Sequence, residues 1–167
     1  MNENLIPNAT LYASRYGFEL GEKLGSGKDG IVLVGKRKMQ PGRIALKAMR
    51  WSEAYEQEKR AYARLQQTGT ATVLGFNVPQ LTGNDDGLRV LEMTVVERPF
   101  VLDFAGAHVD NRPEFPDEVW ADWEAERREQ FEARWPMVER ILAAFEELGI
   151  YLLDVSPGNI GFLDQEG

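Results

Sequence analysis

A glycine-bearing turn set between two β-forming runs constrains this chain more than any other feature. In Gly25-Ser26-Gly27-Lys28-Asp29-Gly30 the glycines have G-x-G-x-x-G spacing, and Ile31-Val32-Leu33-Val34 follows at once. A dinucleotide-binding turn of that spacing opens a helix, whereas a β-branched run reads as a second strand. The turn is therefore expected to lie between strands. Its backbone N–H groups can face an anion where no side chain blocks approach. The plain alternative is a flexible hairpin.

The flanking sequence extends the sheet. Strands are expected near residues 18–24, 30–36 and 44–49, with Met39-Gln40-Pro41-Gly42 as a turn. Residues 51–67 have helical composition, and Ala54, Glu58, Ala61 or Tyr62, and Leu65 recur near helical spacing. Residues 76–81 and 88–96 read as a second strand pair joined by Gly83-Asn84-Asp85-Asp86-Gly87. The expectation is an α+β fold with a five-stranded antiparallel N-terminal sheet and one inserted helix. Any small α+β sheet domain fits that description equally well.

The chain changes character after Pro99. Residues 117–148 are almost wholly helical in pattern, and Pro136 divides them into a helix over 117–134 and a second beginning near Pro136. Trp120, Trp123, Arg127, Phe131 and Trp135 form one broad stripe, read as core because packing already explains the spacing. Short strands are expected over 150–153 and 160–163, on either side of a polar turn, 154–159.

Composition narrows the function. Residues 1–50, 51–109 and 110–167 carry charges of +5, −3 and −10, within a net −8. The basic start suits an anionic ligand, while the acidic remainder disfavours an extended nucleic-acid surface. No cysteine is present, and His108 is the single histidine, so a cysteine or histidine metal cluster is excluded. His108 reads as a packing or hydrogen-bonding residue. The first residues lack the pattern of a secretion signal, and no stretch reaches the roughly 20 apolar residues of a membrane-spanning helix. A soluble, cytoplasmic protein without a membrane or nucleic-acid partner is expected.

Two further groups sharpen the chemistry. Lys47 closes the apolar run Ile44-Ala45-Leu46, and a buried ammonium there must meet an anion. Glu58, on the following helix, can pair with it and hold it toward phosphates. Asp154-Val155-Ser156-Pro157-Gly158-Asn159 then offers an aspartate able to take a hydroxyl proton and, five residues on, an asparagine able to ligate magnesium. The bland reading is an Asp-capped turn, which leaves the glycines and Lys47 unexplained.

Taken together, these residues resemble the protein-kinase-like superfamily over about residues 18–164. Gly25, Gly27, Gly30 and Val32 match its glycine-rich loop, and Ala45-Leu46-Lys47 matches its third-strand lysine motif. Glu58 falls at the lysine-pairing position. Asp154 and Asn159 fall at the catalytic-base and second metal-ligand positions, in a form also similar to aminoglycoside and other small-molecule kinases. The resemblance implies ATP and Mg2+ as ligands. It assigns Asp154, Lys47 and Glu58 to catalysis, Asn159 to metal, and Gly25, Ser26, Gly27, Gly30, Val32, Ala45, Lys47, Val95 and Glu97 to nucleotide. It also divides the chain into an N-terminal extension, 1–17, a kinase-like N-lobe, 18–98, and a reduced helical C-lobe with a catalytic-loop-like turn, 99–167.

The departures are specific. Leu152-Leu153 stands where the family has His-Arg, and Ser156 where protein kinases often have lysine. No Asp-Phe-Gly segment follows Asn159. Residues 160–163 form one strand and residues 164–167 resemble a turn, so the return strand that would carry the principal metal aspartate is expected to be missing. Asp164 is left outside the site. Two functions follow: phosphoryl transfer from ATP to a protein or small-molecule hydroxyl, or a catalytically inactive kinase-like regulatory or protein-interaction module. A protein partner or a second copy would complete the C-lobe.

Overall fold

The computed structural model describes residues 4–163. Asp164 lies outside them. The element order is α1 (Leu5–Tyr16), β1 (Glu19–Ser26), β2 (Gly30–Lys36), β3 (Ile44–Met49), α2 (Ser52–Gln67), β4 (Thr72–Val73), β5 (Phe76–Asn77), β6 (Leu81–Asp85) and β7 (Val90–Thr94). There follow β8 (Phe100–Val101), β9 (His108–Val109), α3 (Asp117–Phe131), a 3-10 turn (Glu132–Arg134), α4 (Trp135–Glu147), β10 (Ile150–Tyr151) and β11 (Ile160–Gly161). The N-terminal half is a five-stranded antiparallel sheet in the order β1-β2-β3-β7-β6, with α2 inserted after β3. The C-terminal part is mostly helical.

Strand alternation distributes the core over both faces of this sheet. Leu46, Ala48 and Val90 face α1, where they pack with Leu5, Ala9 and Ala13. Ala45, Met49, Leu91 and Met93 face α2 and join Ala61, Tyr62 and Leu65. The first residues form α1, which covers the Leu46 face of the sheet. Leu5, Ala9, Tyr12 and Ala13 lie at helical spacing and bury one stripe. Gly17, at φ 82, ends α1 by donating its N–H to the Ala13 carbonyl. Tyr12 donates to the buried Glu92 carboxylate at 2.8 Å, and Arg15 pairs with Asp85 at 2.7 Å. These bonds anchor α1 to the β6-β7 hairpin.

The second strand pair is displaced from its expected register. Phe76–Asn77 leaves the main sheet to pair with β4 and β8, and the partner of β7 is Leu81–Asp85. Pro79 supplies no ladder donor between the two segments. The expected connection over 83–87 is partly strand, and the reversal lies at residues 86–89. There Arg89 takes φ 53 and the Leu88 N–H donates to the Asp85 carboxylate.

Pro136 does divide the helices, from inside the first turn of α4, where a missing N–H costs no helical bond. α3 ends at Phe131, earlier than expected, and the 3-10 turn intervenes. Within the aromatic stripe, Phe131 and Trp135 are buried core. Trp120 and Trp123 are half-buried, and the Trp123 indole donates to the Leu153 carbonyl at 3.1 Å, just before the polar turn. Arg64 of α2 reaches the same region, donating to the Leu148 carbonyl at 2.9 Å and to both oxygens of Asp110 at 2.8 and 2.9 Å.

Two small sheets join the halves. β10 pairs with β9, which places His108 opposite Tyr151. β11 pairs antiparallel with β8, which continues through β5 to β4. The expected strands over 150–153 and 160–163 are only two residues long each. The expected absence of a return strand after residue 163 falls on residues 164–167, outside the described residues. The antiparallel partner of β11 is β8, which comes earlier in the chain.

Candidate functional site

A cavity of about 540 Å³ lies between the sheet and the polar turn. Gly25, Ser26, Gly27 and Gly30 edge it from the β1-β2 turn, and Val32, Ala45 and Val95 give it apolar walls. The buried Lys47 and Glu58 also line it, together with Asp154 and Asn159 of the polar turn. Of the residues expected at the site, Glu97 alone falls outside this lining. Its side chain is exposed, and its carbonyl accepts from Asn77 at 3.0 Å.

The glycines divide by role. An added Cβ at Gly25 or Gly27 would meet nothing within 4 Å, so these two keep the turn open to a ligand. A Cβ at Gly30 would overlap the Ala48 carbonyl, because β2 and β3 are in register there. Gly30→Ala is expected to destabilise the fold by about 1–3 kcal/mol, the range for overpacking a filled site. Gly27→Ala leaves stability unchanged, a contrast that urea denaturation of both variants measures. The turn is held from outside by Arg50, which donates to the Gly27 and Lys28 carbonyls.

Lys47 follows from the strand period. It sits opposite Val32 on one neighbour and Leu91 on the other, facing α2. Its ammonium lies 2.9 Å from Glu58 Oε2 and 3.2 Å from Asp103 Oδ1. Both members of the pair are almost wholly buried. Burial alone would push the lysine down, but the two carboxylates outweigh it and hold the ammonium above the ordinary lysine range. Glu58 Oε1 also accepts the Phe104 N–H at 3.3 Å.

The polar turn fixes its own side chains. Asn159 donates its amide N–H to the Asp154 carbonyl at 3.2 Å, so that end of the amide is committed. Asp154 is half-buried, and its carboxyl is pushed up, first by desolvation and then by the charge of Asp103, with Lys28 opposing.

Asp103 was not among the residues expected from sequence. It follows β8 with φ 69, and its Oδ1 accepts the Ala105 N–H at 3.1 Å. The Leu102 N–H donates to the Asn159 carbonyl at 2.8 Å, so Asp103 starts one residue beyond that ladder bond. A signal was present, since Phe100-Val101-Leu102-Asp103 is an apolar run ending in aspartate, like Ile150 to Asp154.

Comparisons with protein-family models, curated proteins and solved structures find no match for this chain. No helix among the described residues is long and apolar enough to cross a membrane.

Proposed function

We propose that this chain is a kinase-like protein that binds ATP with magnesium in the cleft and transfers the γ-phosphate to a hydroxyl of a protein or small-molecule acceptor. The carrying observation is the buried Lys47-Glu58 pair, which lines one cavity together with an open glycine turn, Asp154 and Asn159. An ammonium that stays charged while buried is a phosphate ligand already in position. Val32, Ala45 and Val95 offer a flat apolar purine its walls. Arg50 occupies carbonyls of the glycine turn that would otherwise repel phosphate oxygens. In the transfer, the acceptor oxygen bonds to the γ-phosphorus, the bond to the β,γ-bridging oxygen breaks, ADP departs, and the hydroxyl proton passes to Asp154.

The residues fit a hard cation as far as oxygen chemistry goes, since carboxylate and amide oxygens are the donors magnesium takes. Its contribution when bound is to neutralise phosphate charge. The test is calorimetry with ATP and magnesium, followed by phosphate-transfer assays on peptide and small-molecule hydroxyls. Binding with transfer supports the proposal, and absence of binding by the intact protein removes it.

A second reading, a nucleotide-binding regulatory module without transfer, draws on Ser156. This residue stands where a lysine would neutralise the migrating phosphate. Binding without transfer to any acceptor favours it. A protein partner or second copy was expected to complete the C-lobe, and hydrodynamic measurement of the full chain tests for one.

A further inference from the structure

We propose that the groove between α3 and α4 docks a basic helical segment of a partner protein, one whose cationic side chains flank a short apolar stretch. The groove is a cavity of about 320 Å³ that shares no lining residue with the cleft described above. Its occupancy does not depend on what that cleft binds. α4 builds one wall. It turns Val138, Ile141 and Phe145 into the core. The stripe beside them, Glu139, Leu142, Ala143 and Glu146, has the i, i+3, i+4, i+7 spacing of a helix face and lines the groove. Two carboxylates thus stand two turns apart, about 10 Å along the axis, with apolar side chains between them. A partner helix meets such a stripe with its mirror, cations at i and i+7 around apolar residues at i+3 and i+4.

α3 builds the other wall and commits little of its surface to the core, since Phe131 is its one buried residue. Phe115, Trp120 and Trp123 form an aromatic row with edge-to-face contacts of 5.3 and 6.0 Å between ring centres. Phe115 and Val119 are exposed, and Trp120 and Trp123 carry the row into the groove. A contiguous exposed apolar strip of this kind marks an interaction surface. Trp135 also lines the groove. It is 4 % exposed, and its indole N–H has no acceptor among the described residues, a buried donor left for an oxygen from elsewhere. Leu153 lines the groove as well, so an occupant lies one residue from Asp154.

Charge selects the partner. Glu139 and Glu146 make no ion pair or side-chain hydrogen bond among the described residues. Glu124, the third carboxylate of the lining, is paired with Arg128 at 2.9 Å. Arg112 is the cation of the lining and lies 4.3 Å over the Trp120 ring, so an indole of the groove already takes a guanidinium on its face. Arg127, 5.1 Å over the Trp123 ring, is paired with Glu126 at 3.0 Å. Arg140 stands about 100° round α4 from Glu139. Glu139 and Glu146 are left to a cation from outside, in the part of the chain, residues 110–167, that carries −10. That field repels the phosphates of nucleic acids and anionic lipids. A second copy offers the basic run Lys36-Arg37-Lys38, but as part of a β2-β3 hairpin, with Lys38 paired to Glu19 at 3.5 Å and Arg37 4.2 Å over the Phe18 ring. A basic helix of another protein fits the stripe better.

The test uses the full chain without nucleotide and a fluorescent, helix-forming peptide with lysines at i and i+7 and leucines at i+3 and i+4, followed by anisotropy. A control peptide of the same composition has its second lysine at i+5, off that face. The matched peptide is expected to bind saturably, and the control roughly tenfold more weakly, because it keeps only one of the two charge pairs. Glu139→Lys with Glu146→Lys is expected to weaken the matched peptide by roughly tenfold or more, because like charges then face one another. The same variant is expected to gain a peptide whose two lysines are replaced by glutamates. Equal binding of matched and control peptides, or no saturable binding, overturns the proposal. Spermine or arginine amide bound as tightly as the peptide, and lost in the double variant, would make the groove a small-cation site and also overturn it. Self-association abolished by Lys36→Glu with Lys38→Glu would give the groove to a second copy, with the same result. Both glutamates are exposed, so the double variant is expected to fold. Circular dichroism checks this, and Trp120→Ala must show the same loss of peptide if the double variant proves unfolded.

Discussion

Asp154→Asn is expected to lower phosphoryl transfer by roughly 10²–10⁴-fold, the usual contribution of a positioned proton acceptor, while ATP binding persists. The amide keeps the shape of the carboxylate and cannot take the hydroxyl proton. Single-turnover measurement of phosphate transfer beside calorimetric ATP binding separates the two effects, and a variant as active as the native protein would remove Asp154 from the chemistry. On the phosphoryl-transfer proposal, activity should also show a pH limb with a definite sign. Asp154 must be ionised to accept the proton, and desolvation together with Asp103 raises its carboxyl above the ordinary aspartate range. Activity is therefore expected to fall on acidification at a higher pH than an exposed aspartate would give.

Lys47→Met is expected to lower stability by about 3–5 kcal/mol, the cost of leaving one member of a buried ion pair without its partner. Glu58 is 1 % exposed, and the Phe104 N–H is its only other donor among the described residues. Removing Glu58 instead leaves Lys47 with Asp103, so Glu58→Ala should cost less than Lys47→Met. The double variant Lys47→Met with Glu58→Leu, which buries no charge, should recover most of the loss. In Lys47→Met the folded-state carboxyl of Glu58 lies above its unfolded value, so its ionisation opposes folding at neutral pH. The penalty is relieved as pH falls through that raised value. Urea denaturation of the three variants at neutral and mildly acidic pH measures both effects. Equal costs for Lys47→Met and Glu58→Ala would show that Asp103 does not compensate Lys47.

The parts of the site that sequence made legible are those set by local pattern. Strand alternation places Ala45 and Lys47 on the α2 face, helical spacing turns Glu58 inward with Ala61 and Leu65, and a proline-glycine turn presents Asp154 and Asn159. What escaped depends on contacts between distant segments. Strand β8 is two residues long and owes its existence to β11 and β5, so neither periodicity nor propensity marks it. A search restricted to residues after Asn159 could not meet Asp103, which precedes it in sequence and adjoins it in space. The register of β6 was obscured by side chains. Asn84 and Asp86 read as turn formers, yet both hydrogen-bond to Tyr55 of α2, and Asn84 remains in the ladder. α1 has a clear apolar stripe, but its value lies in covering a sheet face that only the assembled strands create.

The triple grip of Arg64 on Leu148 and Asp110 fixes a mechanical pivot. Asp110 directly follows β9, and Leu148 directly follows α4, so one guanidinium rivets the far end of the Glu58 helix to both sides of the helical half. With that end pinned, α2 cannot swing outward as a rigid lever. At the opposite rim of the cleft the room is unfilled, since a side chain added at Gly25 or Gly27 would meet nothing within 4 Å, and Arg50 clasps the turn there through the Gly27 and Lys28 carbonyls.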